Sequence, residues 1–491
     1  MAPGDATVRG TTLGPANDMP MRRLSAVLLL LSCLACALPA SAAGAASIDG
    51  AKLGFAWAIP FVGVLLSIAV FPLFAHEFWG RHFDKVALFW ALAFLVPATV
   101  LLGPGATAHA LAHTALLEYM PFIILIFSLF VVAGGILIVG NLIGTPNTNT
   151  ALLAFGAVNA SFLGTTGASM ILIRPMIRAN AERRHNVHVF VFFIILVSNI
   201  GGSLTPLGDP PLFLGFLKGV DFLWTMEHLL PATIVSGAYL LALFWLVDRY
   251  MWSKEAEPPM TSAVPRQVRI EGAQNMLYLA GIVGAVLASG VWETDITIPV
   301  FGIELPFNGL TRDAVLIGIA LLSLRTTPQR IRIENAFSWL PIREVAVLFA
   351  AIFITIIPVL AMLQAGRDGL FAPLLDLVTQ ADGSPRNWAY FWLTGTLSSY
   401  LDNAPTYLVF FNLAGGDPQQ LMGPLAQTLT AISAGAVFMG ANSYIGNAPN
   451  FMVKAICEER GIRMPSFFGY QWWAFLLLFP LFVLLTFLFF V

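Results

Sequence analysis

Apolar segments that are each long enough to cross a membrane follow one another along most of this chain. A transmembrane helix needs roughly 20 apolar residues. Such segments lie at about 53–74, 86–102, 121–143, 151–177, 187–217, 229–250, 275–292, 312–324, 345–364, 388–413, 425–455 and 471–491. A long polar linker at 251–273 separates two sets of them. The pattern predicts an all-α polytopic membrane protein with one half at 51–250 and another at 274–491.

The segment 187–217 is interrupted by three glycines and three prolines between positions 201 and 211, with Asp209 among them. Proline removes a backbone donor and clashes with the preceding turn. Broken backbone survives at membrane depth only when it is buried in protein or lines a cavity. A carboxylate near the bilayer centre costs about 2.5–3.5 kcal/mol on insertion scales. The interruption around Asp209 therefore predicts a binding site.

Other apolar segments are interrupted in the same way, at Gly164–Gly167, Asp402–Pro405 and Gly440–Pro449. Lysine and arginine mark cytoplasmic loops, and the stretches 103–120 and 293–310, which contain neither, are expected to be periplasmic loops. The linker 251–273 is expected to be cytoplasmic. This distribution is consistent only if 151–177 and 388–413 each enter and leave on one face, as re-entrant hairpins.

The two halves resemble one another. Gly202, Gly208, Asp209, Pro211 and Phe213 align with Gly440, Gly446, Asn447, Pro449 and Phe451, at an offset of 447 − 209 = 238. Thr165 and Thr166 align with Asp402 and Asn403, at 402 − 165 = 237. Each half would then contain one re-entrant hairpin and one broken helix, in opposite orientations. Inverted repeats with paired broken helices indicate a secondary transporter whose site lies near the midplane.

Composition supports the membrane assignment and excludes several functions. The chain has 491 residues, 58% of them hydrophobic and 11% charged, whereas soluble proteins carry about 25% charged residues. A net charge of −2 gives no indication of a nucleic-acid partner. The three cysteines imply no disulfide framework. The chain contains no GxxxxGK[ST] motif, so ATP drive within it is not supported.

The amino-terminal region has the pattern of a secretory signal. Positive charge at Met21-Arg-Arg precedes the apolar run Leu24–Leu38 and the small residues Ala40–Ala42. This pattern predicts a cleaved signal peptide at 21–43. Residues 1–20 form a polar leader, with a true start after them as an alternative. An uncleaved first span is the alternative.

The interrupted segments carry oxygen-bearing side chains that could meet at one site. The candidate ligands are Thr165, Thr166, Asn199, Thr205, Asp209, Asp402, Asn403, Asn442, Ser443 and Asn447. Oxygen ligands suit hard cations. Asp209 and Asp402 come from opposite halves, so they could face one another and hold protons or sodium. In the structural alternative each aspartate only caps a half-helix, and the hydroxyl and amide groups form hydrogen bonds that serve the fold alone.

Two of these segments resemble the ion transporter superfamily. Asn199–Asp209 resembles the N-x-G-G-x-x-[ST]-P-x-G-[DN] stretch of the D-type sodium/proton antiporters and arsenite permeases, and Leu401–Thr406 resembles their D-N-x-P-[TL] hairpin. The chain departs from the antiporters at Gly164–Gly167, and Gly440–Pro449 is more similar to the anion branches, which include the citrate transporters. The resemblance covers most of the chain after residue 50. It implies two inverted repeats, usually in a homodimer, with a moving transport domain.

These observations lead to two expected functions. The first is a sodium/proton antiporter of the bacterial inner membrane, in which Asp209 and Asp402 are shared ligands for Na⁺ and H⁺. Thr205, Asn403, Asn199, Ser443 and Asn447 would supply neutral oxygens, and no cofactor is needed. The second is cation-coupled transport of citrate or another carboxylate, bound by Thr165 and Thr166 and by Asn442 and Ser443. An intramembrane aspartyl protease also uses two aspartates, but its flanks lack the proline-broken repeat, so no enzyme is expected.

Overall fold

The described part of the chain is mostly helical. The computed structural model describes residues 48–140, 142–255 and 268–491. The predicted leader at 1–20 and signal peptide at 21–43 lie outside the described residues, as does residue range 256–267 of the linker. Among the described helices, eight are long and apolar enough to cross a membrane. The prediction of an all-α polytopic membrane protein is confirmed.

The first half combines long helices with a hairpin and a broken helix. Short 3-10 turns at Gly50–Lys52 and Phe55–Ala58 come first. The elements that follow are α1 (Ile59–Phe74), α2 (His76–Leu101), α3 (Pro104–Thr114), a π turn (Ala115–Tyr119), α4 (Met120–Ala133), β1 (Leu137–Val139), α5 (Pro146–Leu163), α6 (Thr165–Ala179), α7 (Val187–Leu196), a 3-10 turn (Ile200–Ser203), α8 (Pro210–Leu217) and α9 (Trp224–Trp252). Helices α5 and α6 form the first hairpin, and α7 and α8 are the two parts of the first broken helix.

The second half repeats this order. Its elements are β2 (Arg269–Glu271), α10 (Gln274–Val291), β3 (Thr297–Val300), β4 (Ile303–Pro306), α11 (Phe307–Thr326), α12 (Gln329–Glu334), α13 (Leu340–Gln364), a 3-10 turn (Gly366–Asp368), α14 (Ala372–Val378), α15 (Asn387–Tyr400), α16 (Asn403–Leu413), α17 (Pro418–Met422), α18 (Ala426–Met439), a 3-10 turn (Gly440–Asn442), α19 (Ala448–Glu459), α20 (Phe467–Leu485) and a π turn (Thr486–Phe490). Helices α15 and α16 form the second hairpin, and α18 and α19 form the second broken helix. Two small antiparallel pairs, β1 with β2 and β3 with β4, accompany the helices.

One offset relates the hairpin tips and the broken helices of the two halves. Helices α6 and α16 begin 403 − 165 = 238 residues apart, and α8 and α19 begin 448 − 210 = 238 residues apart. Thr165 therefore corresponds to Asn403, and the predicted offset of 237 for the hairpins is wrong by one residue. The single offset supports the internal repeat, whereas the opposite orientation of the halves stays a prediction.

The first part of each broken helix, α7 and α18, lies inside the protein. Helix α7 has 10 residues, which spans about 15 Å, half of the roughly 30 Å hydrocarbon core. From Val189 to Val197 no side chain has exposed surface. By contrast, the long helices expose large apolar side chains, such as Phe89 and Val100 on α2 and Leu476 on α20. The long helices thus present apolar faces suited to lipid and enclose the short ones.

Two stretches predicted as loops contain regular structure. Residues 104–114 are helical and continue through the π turn into α4, because Pro104 occupies the first turn, where its missing N–H costs nothing, and alanine and leucine follow. The stretch 293–310 contains the β3–β4 pair and the start of α11. The absence of Lys and Arg from these two stretches therefore did not indicate irregular backbone, and the prediction that they are loops is wrong in part.

Candidate functional site

All four interrupted segments meet at the carboxylate of Asp209. Its Oδ1 accepts hydrogen bonds from the Thr165 hydroxyl and from the Asn447 amide, both at 2.9 Å. Its Oδ2 accepts one from the Asn403 amide at 2.5 Å. The donors belong to the first hairpin, the second hairpin and the second broken helix, and the side chain of Asp209 is buried. One acidic group thus joins elements from both halves.

The two aspartates have different roles at the starts of their helices. Asp209 precedes Pro210 in an extended backbone, and its side chain makes no capping hydrogen bond to α8. The alternative in which the aspartate only caps a half-helix is therefore wrong for Asp209. Asp402 does cap α16, because its Oδ1 accepts the N–H of Ala404 at 3.0 Å. Among the described residues, the Asp402 carboxylate makes no hydrogen bond to Asp209, so the two acids are not a hydrogen-bonded pair.

Four helix amino-termini surround Asp209. Helices α6 and α16 begin at Thr165 and Asn403, which both bind the carboxylate, and α8 begins directly after Asp209. Helix α19 begins directly after Asn447. Each helix amino-terminus carries the equivalent of about half a positive charge. Their summed partial charges stabilise a buried carboxylate.

Paired glycines allow the broken segments to fold back on themselves. A Cβ on Gly208 would lie 2.1 Å from the carbonyl oxygen of Gly202, and one on Gly446 would lie 2.6 Å from that of Gly440. The Gly208 carbonyl also accepts the N–H of Thr165 at 2.8 Å. The aligned glycines are therefore required by close backbone approach, in both halves.

Thr205 and Ser443 hold the broken segments against the hairpins. The Thr205 hydroxyl donates to the carbonyl of Ser161, and the Ser443 hydroxyl donates to the carbonyl of Ser399 at 2.5 Å. Both the donors and the acceptors are 238 residues apart. Each hydroxyl oxygen also accepts backbone N–H groups of its own segment, from Leu207 in the first half and from Ile445 and Gly446 in the second, and neither hydroxyl forms a hydrogen bond with Asp209. The structural alternative describes them better than the role of a neutral ligand.

Asn199 is linked to Asp209 through Asn447. Its side-chain nitrogen donates to the carbonyl of Ile194 at 2.8 Å and to Asn450 Oδ1 at 2.7 Å. Its Oδ1 accepts from Asn447, the residue that also binds Asp209, at 3.3 Å. Asn199 therefore positions Asn447 and does not touch the carboxylate.

Sequence reasoning missed Asn450. Its side-chain nitrogen donates to the carbonyls of Gly440 and Ser443, at 2.9 and 2.8 Å. It thereby closes the second broken segment. The corresponding residue of the first half is Leu212, so the repeat gave no signal. A polar residue on the buried face of α19 was the available signal.

Two other candidates remain apart from the carboxylate. Asn442 donates to the Ser399 hydroxyl at 2.8 Å. Thr166 follows Thr165 on α6, is half-buried and makes no hydrogen bond to Asp209 among the described residues. The predicted carboxylate-binding pair of Asn442 and Ser443 is thus engaged with the second hairpin.

A small cavity adjoins Asp209. Its volume is about 60 Å³, and Thr165, Thr166 and Phe213 contribute to its lining. A water molecule needs about 10–15 Å³ of such space, whereas sites for larger ligands measure about 300–1,000 Å³. Beside the carboxylate, Asn403 Oδ1 is buried and has no partner in the described part of the chain. Asn403 does not line the cavity, whose wall is largely apolar and whose polar side chains are Thr165, Thr166 and Asp209. The size of the cavity admits a small ion or a few waters.

A buried ion-pair cluster lies at another point of the first half, away from the four interruptions. Asp248 Oδ1 accepts from Arg183 at 2.5 Å and contacts His188 Nε2 at 2.7 Å, and Oδ2 accepts from Asn149 at 3.0 Å. The cluster connects the hairpin and the loop after it to α9. Sequence reasoning used Arg183 only as a marker of the cytoplasmic face, because no local pattern pairs it with a residue 65 positions away.

Broken helices that enclose one buried carboxylate, within a set of membrane-crossing helices, are the architecture of secondary transporters. A family model described as "Putative citrate transport" matches residues 50–490. The chain belongs to this family and is a multi-pass membrane transporter. The match confirms the predicted resemblance to the citrate transporter branch of the ion transporter superfamily.

Two relatives agree with this class. They are uncharacterized transporters of Mycobacterium bovis and Mycobacterium tuberculosis. Each is 25% identical to this chain over 326 residues, which cover 65% of this chain and 71% of the relative. Neither relative's description states a substrate.

Proposed function

We propose that this chain is a cation-coupled secondary transporter of a small carboxylate, with Asp209 as the central ligand of the coupling cation. This is the second of the two functions expected from the sequence. The observation that carries it is the burial of one carboxylate at the meeting point of four helix amino-termini. The carboxylate attracts a cation or a proton, and the amino-termini attract an anion. The family description also supports a carboxylate substrate.

The groups around Asp209 can rearrange to bind sodium. Asn403 Oδ1 is free, and the Thr165 oxygen retains a lone pair after its proton is donated to Asp209. Carboxylate, amide and hydroxyl oxygens are ligands suited to a hard cation. A site with one carboxylate and neutral oxygens matches the charge of a monovalent ion. Asp402 remains a candidate second ligand through the oxygen that does not cap α16.

Sodium/proton antiport is the second candidate function. The small size of the Asp209 cavity favours it, because about 60 Å³ accommodates an ion and not a tricarboxylate. In that function Asp209 would exchange a proton for sodium, and no organic anion would be required. Both functions would operate in the bacterial inner membrane by alternating access of the hairpins and broken helices relative to the long helices.

Transport in proteoliposomes separates the two candidates. Purified protein is reconstituted with an internal pH dye, and the uptake of labelled citrate and the decay of an imposed pH gradient are measured in parallel. We expect citrate uptake that requires a sodium or proton gradient, and no decay of the pH gradient by sodium alone. Collapse of the pH gradient by sodium without any citrate uptake would instead establish antiport and refute the proposal.

A further inference from the structure

A second, larger cavity of about 500 Å³ lies at the far end of α8 from Asp209. We call it the Lys218 cavity, after the residue that follows α8. Glu118 of the π turn and Arg312 and Asp313 of α11 also line it. Its volume is in the range of small-molecule sites. It therefore has room for an organic ion that the space beside Asp209 lacks.

Arg312 has unused hydrogen-bonding capacity in this cavity. The side chain is 7% exposed, and its Nε donates to Asp313 at 2.8 Å. Neither terminal nitrogen has a partner among the residues that the structure describes. The planar guanidinium fork matches the two oxygens of a carboxylate. A buried arginine whose fork is unoccupied points to an anionic ligand.

Lys218 provides a second positive centre. Its ammonium donates one of three N–H groups to Glu118 Oε1 at 2.6 Å, and its side chain is 25% exposed. Lys218 is paired with Glu118 and Arg312 is paired with Asp313, so each base and its acid offset one another, and Asp221 is exposed. Glu118 Oε2 is buried without a partner, so it is closed to a ligand in the cavity. The donors that these pairs leave unused are the terminal N–H groups of Arg312 and two N–H groups of Lys218.

The Lys218 cavity is separated from the Asp209 site by one aromatic contact. The Arg312 guanidinium lies 5.9 Å from the ring centroid of Phe213, and Phe213 lines the small cavity beside Asp209. Helix α8 has 8 residues, so its length is about 12 Å. An anion bound by Arg312 would be a neighbour of the Asp209 site.

From this geometry we propose that the Lys218 cavity binds a di- or tricarboxylate through Arg312 and Lys218, as a loading site distinct from the Asp209 site. The inference rests on the proposed function, because it supplies the place where the carboxylate first binds. Two separated sets of unused N–H donors favour an anion with more than one carboxylate over a monocarboxylate.

The test is calorimetric titration of the purified protein, at constant sodium, with citrate and with acetate. Arg312→Gln and Lys218→Gln are compared with Arg330→Gln, which removes an exposed arginine elsewhere. We expect each cavity variant to weaken citrate binding about tenfold or more and to lower the preference for citrate over acetate. Arg330→Gln is expected to bind citrate as the wild type does.

Wild-type citrate affinity in both cavity variants would overturn the proposal, as would a wild-type protein that does not bind citrate. Thermal unfolding shows whether Arg312→Gln has folded, and the partly exposed Lys218 provides the test if it has not. Sodium binding is measured on the same samples, with Asp209→Asn alongside. If the cavity variants bind citrate as the wild type does while sodium binding is intact, only the Lys218 cavity is refuted. If the wild type does not bind sodium, the proposed function is refuted.

Discussion

The side-chain amide of Asn447 donates a hydrogen bond to Asp209 Oδ1 at 2.9 Å, although the two residues occupy the same position in the two halves of the chain. Two carboxylates at this distance would repel one another. An amide in one half turns that repulsion into a hydrogen bond. The repeat is therefore symmetric in backbone and asymmetric in charge, and the site keeps a single carboxylate at its centre.

Replacing Asn447 by aspartate tests this asymmetry. In Asn447→Asp two carboxylates would be in contact, so we expect a lower melting temperature in sodium-free buffer and a larger rise on addition of sodium than in the wild type. The cause is like-charge repulsion that a bound cation relieves. Thermal unfolding with and without sodium measures both effects.

Asn450→Asp is the matched control, because Asn450 donates to backbone carbonyls and does not contact Asp209. We expect it to be destabilised without an enhanced response to sodium. An equal sodium response in both variants would show that the contact between Asn447 and Asp209 is not what matters.

The paired glycines give a prediction about packing. In Gly208→Ala the added methyl group would overlap the Gly202 carbonyl, and overpacking of this kind costs about 1–3 kcal/mol. We expect lower stability and impaired transport from Gly208→Ala and from Gly446→Ala. Unfolding in denaturant and citrate uptake in proteoliposomes are the measurements.

Gly237 of α9 and Gly284 of α10 are controls, because a Cβ there would meet nothing within 4 Å. Alanine at these helical positions is expected to be neutral or to stabilise the protein by up to about 1 kcal/mol. If Gly208→Ala behaved like Gly237→Ala, the close backbone approach in the broken helix would be refuted.

The buried ion pair between Arg183 and Asp248 should be important for stability. Both side chains are fully buried, and removing one partner of such a pair costs about 3–5 kcal/mol, since the other charge is left uncompensated. Asp248→Asn is expected to lower the free energy of unfolding by an amount of this order. Asp49→Asn, which breaks an exposed pair with Lys52, should have no measurable effect. Equal stability of the two variants would contradict the assignment.

Much of this architecture could be predicted from the sequence, since its causes are local. Prolines and glycines around Asp209 required a broken helix, and that break placed Asp209 correctly at a helix start. The offset of 238 followed from the same motif. Local pattern could not distinguish Asp209, which does not cap its helix, from Asp402, which does. The pairing of Arg183 with Asp248 depends on which distant segments pack together, so no local pattern indicates it. Asn450 could be noticed only as a polar residue on the buried face of α19.

The role of Asp402 can be separated from that of Asp209. Asparagine caps a helix about as well as aspartate does, so Asp402→Asn should fold normally. If the carboxylate acts chiefly as a cap, citrate uptake should stay within a few-fold of the wild-type rate. A complete loss of uptake by a correctly folded Asp402→Asn protein would instead establish Asp402 as a second ion ligand, as the sequence first indicated.

The most direct test of the central claim is sodium-dependent stabilisation of Asp209→Asn. A ligand that binds only the folded protein raises its melting temperature by an amount that grows with the logarithm of ligand concentration above the Kd. The account predicts that sodium raises the melting temperature of the wild type and leaves that of Asp209→Asn unchanged, while both proteins fold. A wild-type response to sodium from Asp209→Asn would show that the cation binds elsewhere.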